Sequence, residues 1–173
     1  MDWKEATARV VVAGCEPHPQ DVAMVLGWSG GEVALALAAT VREVVVVDPG
    51  PPGPGLPANV RWVTGTIASP PAVKDLTVVA AHWTFRRLDP AAQRSLVAQV
   101  ARLLPERGLF VVGDVMWSFP LAMIDEPEQY GEAIAHVPTT AAMEQLVRGE
   151  GFLPDLHRFG PGVAVVIALK AAR

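Results

Sequence analysis

Residues 21–48 read DVAMVLGWSGGEVALALAATVREVVVVD, and the fold follows from this stretch. The apolar run Val22 to Leu26 has the composition of a buried strand. It leads into Gly27, Trp28, Ser29, Gly30 and Gly31, a turn rich in the residue that tolerates left-handed backbone and lets a ligand approach closely. Glu32 to Thr40 reads as a short alanine-rich helix. Val44 to Val47 are four consecutive valines, the mark of a strand covered on both faces and hence of a parallel sheet. Asp48 closes that strand with an acid. The whole is a β-α-β unit with a ligand-binding turn: the helix N-terminus directs amide donors at the ligand, and the acid on the second strand accepts ribose hydroxyls.

Upstream, Trp3, Ala6, Val10 and Ala13 recur nearer the helical than the strand period, which predicts a short helix over Asp2 to Val12, ended by Glu16, Pro17 and Pro19. Downstream, PGPPGPGLP (Pro49 to Pro57) has no helical capacity, so the crossover to the third strand, Val60 to Val63, is expected to be a loop. Leu76 to Ala81 is a fourth strand. Leu96, Val97, Val100, Leu103 and Leu104 mark a helix over Ala91 to Leu104, with Pro90 at its start and Gly108 beyond its end. Leu109 to Val112 is a fifth strand, ending in Gly113 and Asp114. Met116 to Val137 is irregular, and Thr139 or Thr140 can cap a helix running to about Arg148, with Gly151 as its stop. Phe152 to Arg158 and Val163 to Leu169 are separated by four residues, too few for a parallel crossover, so the two pair as an antiparallel hairpin.

With 173 residues the chain is expected to form one domain. Within it, residues 1–20 form an N-terminal helix and loop, 21–115 the cofactor-binding half, 116–137 a lid-like loop, and 138–173 a helix and terminal hairpin. A formal charge of -4 with no basic run gives no footprint for DNA or RNA and favours a small-molecule partner. The N-terminus fits neither a signal peptide nor a membrane span, so a soluble, cytoplasmic protein is expected. Cys15 is the single cysteine, which rules out an intrachain disulfide. Cys15 and His18 have ligand-like spacing, but two groups do not make a zinc site, and no metal is expected. A mean hydropathy of +0.31 makes a homo-oligomer with a buried self-interface plausible.

Alternating β/α units followed by a helix and an antiparallel hairpin resemble the class I S-adenosylmethionine (SAM)-dependent methyltransferases over about Asp21 to Lys170. The resemblance implies a Rossmann-like three-layer α/β/α sandwich around a mostly parallel seven-stranded sheet. VLGWSGGEVALALA matches that family's glycine turn and Asp48 its ribose-binding acid. VVAAHWTFRRLD resembles the segment around its fourth strand, and LVAQVARLLPERGLFVVGD its next helix and fifth strand. Carried over, the resemblance implies SAM as cofactor, held by Gly27, Trp28, Ser29, Gly31, Asp48, Gly65, Thr66 and His82. Four features depart from the family pattern: Val25 replaces an acid, Ser29 a glycine, Thr66 an acid that meets adenine, and the proline-glycine loop a helix.

Methyl transfer is an in-line displacement from a sulfonium, in which holding the reactants in near-attack geometry does most of the work. His82, ending the fourth strand, is the candidate base, and Asp114, ending the fifth, the candidate group for orienting substrate. Trp117, Phe119, Tyr130 and His136 are candidates for a substrate lid. The expected activity is therefore methylation of a small molecule. A second reading is a catalytically degenerate member of the fold serving as a binding or assembly subunit. A third takes GWSGG as the G-x-S-x-G elbow of a serine hydrolase, with Ser29 as nucleophile and Asp114 with His136 or His157 completing a triad. Against it, only 28 residues precede Ser29, leaving no room for the earlier strands and oxyanion loop of that architecture. A phosphate-binding P-loop is excluded because no lysine-serine or lysine-threonine pair follows the glycines.

Overall fold

The computed structural model describes residues 3–118, 136–159 and 162–172. Its elements, in chain order, are α1 (Trp3–Gly14), β1 (Val22–Leu26), α2 (Glu32–Ala38), β2 (Glu43–Asp48), β3 (Val60–Thr64) and β4 (Leu76–His82). A 3-10 turn (Phe85–Arg87), α3 (Pro90–Leu103), β5 (Leu109–Val115), α4 (Thr140–Gly149), β6 (Phe152–Arg158) and β7 (Val163–Lys170) follow. The seven strands form one sheet in the order β3-β2-β1-β4-β5-β7-β6. The first five in space are parallel, and β7 enters antiparallel between β5 and β6. The predicted elements are all present, with ends shifted by at most three residues, the largest shift being at the end of β5.

Side-chain alternation along the strands builds two cores. Met24, Leu26, Val79, Ala81, Phe110 and Val112 face α3 and α4, which bring Leu96, Val97, Val100, Met143 and Val147. Ala23, Val25, Ala80, Val111 and Val165 face α1 and α2, which bring Ala8, Val11, Val33, Ala34 and Leu37. The three valines of α1 are helical despite their β-branching because Val11 is fully buried on the sheet, and that packing outweighs propensity. Both longer helices after the first are capped as the sequence indicates: Asp89 accepts from the Ala92 N–H and Thr139 from the Ala142 N–H.

Neither connection flanking β3 contains a helix, and β3 is only half-buried. Two indoles stand where a crossover helix would otherwise cover the sheet. Trp28 and Trp62 pack with ring centroids 5.6 Å apart, and Trp62 Nε1 donates to Gly50 O at 3.2 Å. Asn59 closes the loop from its other end by donating to the carbonyls of Ala38 and Val41. No helix among the described residues is long and apolar enough to cross a membrane.

α1 sits on β5 at Gly113, where any Cβ would run into Val11. Gly113→Ala is therefore expected to destabilise by about 1–3 kcal/mol, a fall in Tm of about 3–10 °C for a chain of this size. Val11→Ala in the same chain should recover part of that loss in thermal unfolding. An undiminished Tm in the single variant would show that α1 is not seated on this glycine.

Candidate functional site

The turn after β1 is held in shape by its own backbone and by β2. Gly27 N–H donates to Val47 O at 2.8 Å and Gly31 N–H to Trp28 O at 2.7 Å. Gly27, Ser29, Gly30 and Gly31 all have positive φ, which glycine adopts freely and Ser29, at φ 45, does not. A Cβ on Gly27 would meet the methyl of Thr84, whose hydroxyl donates to Leu26 O at 2.9 Å. The turn thus closes tightly against the segment that follows β4.

Asp48 joins the pieces. Its Oδ2 accepts from the Trp28 N–H at 2.8 Å and its Oδ1 from the Gly50 N–H at 2.7 Å, while its carbonyl accepts from the Gly65 N–H at 3.1 Å. One residue therefore ties the glycine turn, the end of β2, the proline loop and the end of β3. A carboxylate has about four lone-pair sites, so each oxygen retains one for a further donor. The Trp28 indole lies flat between Gly31 and Gly53, 2.9 Å from where a Gly53 Cβ would stand. Beside it, a Cβ on Gly65 would meet nothing within 4 Å. Thr66 is exposed, its hydroxyl accepting from the Ala68 N–H. Gly27, Trp28, Ser29, Gly31, Asp48, Gly65 and Thr66 are thus brought together at the carboxyl ends of β1, β2 and β3.

His82 and Asp114 end adjacent strands, but β4 and β5 register His82 with Gly113, so the two side chains leave opposite faces of the sheet. His82 is 1% exposed and lies under α1. Its Nε2 is 3.1 Å from the Thr7 hydroxyl oxygen and 3.1 Å from Lys4 O. Since the Thr7 hydroxyl donates to the carbonyls of Trp3 and Lys4, its oxygen can only accept, from His82 and from Trp83 Nε1 at 3.0 Å. The network therefore assigns a neutral ring protonated on Nε2, with Nδ1 buried and lacking a hydrogen-bond partner among the described residues. Burial lowers the His82 pKa to about 4.

Asp114, also 1% exposed, faces α3. Burial raises its pKa, opposed by the Arg86 N–H at 3.1 Å, the Arg86 guanidinium at 3.3 Å and the Val115 N–H at 2.7 Å. The Arg86 guanidinium also stacks 4.4 Å from the Trp83 ring centroid. Asp114 thereby fixes the 3-10 turn after β4.

The hydrolase constellation is not assembled. His157 lies on edge strand β6, with β4, β5 and β7 between it and β1, and contacts Asp155 at 3.1 Å. His136 sits beside α3, its carbonyl accepting from Gln93. Of the lid candidates, Trp117 bridges to Thr139 and pins the chain before α4, while Phe119 and Tyr130 lie outside the described residues. Sequence reasoning missed Thr7, Lys4 and Thr84. Thr84 lies in the segment after the fourth strand that carried the family resemblance, whereas nothing local marks Thr7 or Lys4, the latter paired with Glu32 at 2.9 Å.

This sheet order, with the glycine turn after β1 and an acid ending β2, is the fold of the class I SAM-dependent methyltransferases. The YcgJ protein of Bacillus subtilis shares it with a TM-score of 0.78 over 97% of this chain and 99% of that one, at 12% identity. Burkholderia thailandensis 1,6-didemethyltoxoflavin-N1-methyltransferase, solved with 1,6-didemethyltoxoflavin and S-adenosylhomocysteine, gives 0.73 over 99% and 79%, at 19% identity. The [4+2]-cyclase SpnF gives 0.76 over 98% and 81%, at 13% identity. At these identities the likeness is one of fold. No protein-family model and no curated protein sequence matches the chain.

The state of His82 can be read from the pH dependence of stability. With a folded pKa of about 4 and an unfolded value near 6.5, the unfolded chain binds more protons between these limits, so the contribution of neutral His82 is present above pH 6.5 and is lost as pH falls toward 4. In urea unfolding from pH 7 to 4, wild type should lose stability more steeply than His82→Gln, by at most about 1.4 kcal/mol per pH unit. Parallel profiles would exclude a buried neutral ring.

Proposed function

We propose that this chain binds SAM in the cradle of Gly27 to Gly31 and Asp48 and methylates a small molecule. The observation that carries this is the Asp48 carboxylate, fixed by the Trp28 and Gly50 N–H groups with one acceptor site still open on each oxygen. Those sites accept the two ribose hydroxyls. Thr84 and the Trp28 indole pack where side chains on Gly27 and Gly31 would stand and so shape the turn, the space above Gly65 receives the base, and the Thr66 hydroxyl replaces the acid expected to meet the adenine amino group. Bound there, SAM supplies an electrophilic methyl on a sulfonium. His82 and Asp114 are buried, held by structural partners and on opposite faces of the sheet, so on this reading the described residues contribute positioning and the acceptor brings its own lone pair. The charge of -4, with no basic run, agrees with a small-molecule acceptor.

A second reading, a degenerate binding or assembly subunit, is favoured by the left-handed Ser29 and by the sealing of His82 under α1. SpnF, a cyclase by name, also shows the fold housing something other than methyl transfer.

S-adenosylhomocysteine at 100 times its Kd stabilises by about 2.7 kcal/mol, so Tm should rise by roughly 5–10 °C, with matching heat in calorimetric titration. Asp48→Asn should stay folded and lose about 10- to 100-fold in affinity, since hydrogen bonds to a charged acceptor are weakened. Undiminished affinity in Asp48→Asn would remove the ribose role. No shift and no heat with the wild type at millimolar ligand would favour the degenerate subunit.

A further inference from the structure

The sheet ends at β6, whose outer edge meets no strand among the described residues. The bonds at its two ends fix which way its backbone points. Ala171 N–H donates to Gly151 O at 3.0 Å, and Phe159 N–H donates to Val163 O at 2.9 Å. Gly151 and Phe159 therefore turn their peptide groups toward β7, and by the alternation of an antiparallel ladder so do Leu153, Asp155 and His157. Phe152, Pro154, Leu156 and Arg158 turn theirs outward. Pro154 fits that parity, since a proline lacks only the N–H that would face away from the sheet.

On the α1 side this edge presents Leu153, Asp155 and His157. Leu153 is 60% exposed and its cross-strand neighbour Leu169 is 37% exposed, so an apolar pair borders an open edge. Asp155 and His157 are exposed too, a carboxylate and an imidazole two residues apart on one face. Such a strand is complementary to itself. When two copies pair antiparallel about a dyad, the residue at the dyad faces itself and its neighbours face each other in order.

The candidate dyads are not equivalent. At Pro154 the central pair would have no N–H to exchange. At Asp155 the two carboxylates would stand opposite each other, which is destabilising. At His157 the imidazoles would face each other and Asp155 would face Phe159. A dyad at Leu156 instead sets Asp155 of each copy against His157 of the other and Leu153 against Phe159. It also exchanges two bonds between the Leu156 peptide groups and adds two from Arg158 N–H to Pro154 O. Pro154 and Asp155, which blunt the edge against other pairings, leave this one open.

We infer that the chain forms a homodimer by antiparallel pairing of β6 across a dyad at Leu156, which continues the sheet from one copy into the next. β6 lies at the far end of the strand order from Asp48 on β2, so the pairing is separate from the cofactor cradle.

The test is sedimentation velocity on the full chain from about 1 to 500 μM, where a concentration-dependent monomer–dimer equilibrium is expected. His157→Glu sets a second carboxylate against Asp155, and Asp155→Lys sets an amine against His157. Both positions are exposed, so each variant should keep the wild-type Tm while weakening the dimer about tenfold. Mixed in equal amounts, the two variants should associate at least as well as wild type, because the introduced lysine then meets the introduced glutamate. Amide hydrogen exchange at Leu156 and Arg158 should slow as wild-type concentration rises. A chain that stays monomeric throughout overturns the proposal, as does a dimer that either variant leaves intact. Failure of mixing to restore association, or exchange at Leu156 that ignores concentration, overturns the dyad and with it the proposal.

Discussion

The carboxyl-end architecture of this chain depends on how Asp48 is held. A carboxylate at a strand end, half-buried and facing two backbone N–H groups, forms charge-assisted bonds stronger than those between neutral groups. The Trp28 bond sets the height of the glycine turn above the sheet, and the Gly50 bond folds the proline loop back over it. With these two fixed, the Trp28 indole has one place to lie, between Gly31 and Gly53 and against Trp62. The absence of a helix between β2 and β3 is then structurally tolerable, because two large apolar rings cover the sheet surface that a helix would have covered.

A second constraint acts through α1. Its Thr7 hydroxyl collects donors from His82 and Trp83 and passes its own proton to the helix backbone. This polar knot lies at the end of an otherwise apolar interface made by Ala8 and Val11. Apolar burial holds the helix to the sheet, while the hydrogen bonds fix its position along it, since a shift of one residue would break the bonds of buried Thr7 and His82 and of half-buried Trp83. The helix thereby turns a histidine at a favourable strand end into a neutral, enclosed group.

The fold was legible in the sequence because hydrophobic periodicity is local. The valines of β2 announced a two-sided strand, the four-residue gap between β6 and β7 excluded a parallel pair, and Pro49 to Pro57 excluded a helix. The cradle was legible in part, since glycines and an acid at set distances carry a local signature. What could not be read were partners distant along the chain. Thr7 meets His82 across 75 residues, and Gln93 meets the His136 carbonyl across 43. No local pattern encodes such meetings, because sheet order and helix placement create them.

Side-chain parity also explains why residues that looked like one site belong to two. Successive residues of a strand face opposite sides, so the registry of His82 with Gly113 sends His82 toward α1 and Asp114 toward α3. His82 is therefore enclosed beneath α1, whereas Asp114, through the Phe85–Arg87 turn, supports the carbonyl of Phe85 on which Gln93 rests. The two polar strand ends divide the carboxyl edge into one face organised by Asp48 and α1 and another organised by Asp114 and α3. Because Gly113 carries no side chain, α1 can close on the first face without disturbing the second, so the two faces pack separately while sharing one sheet.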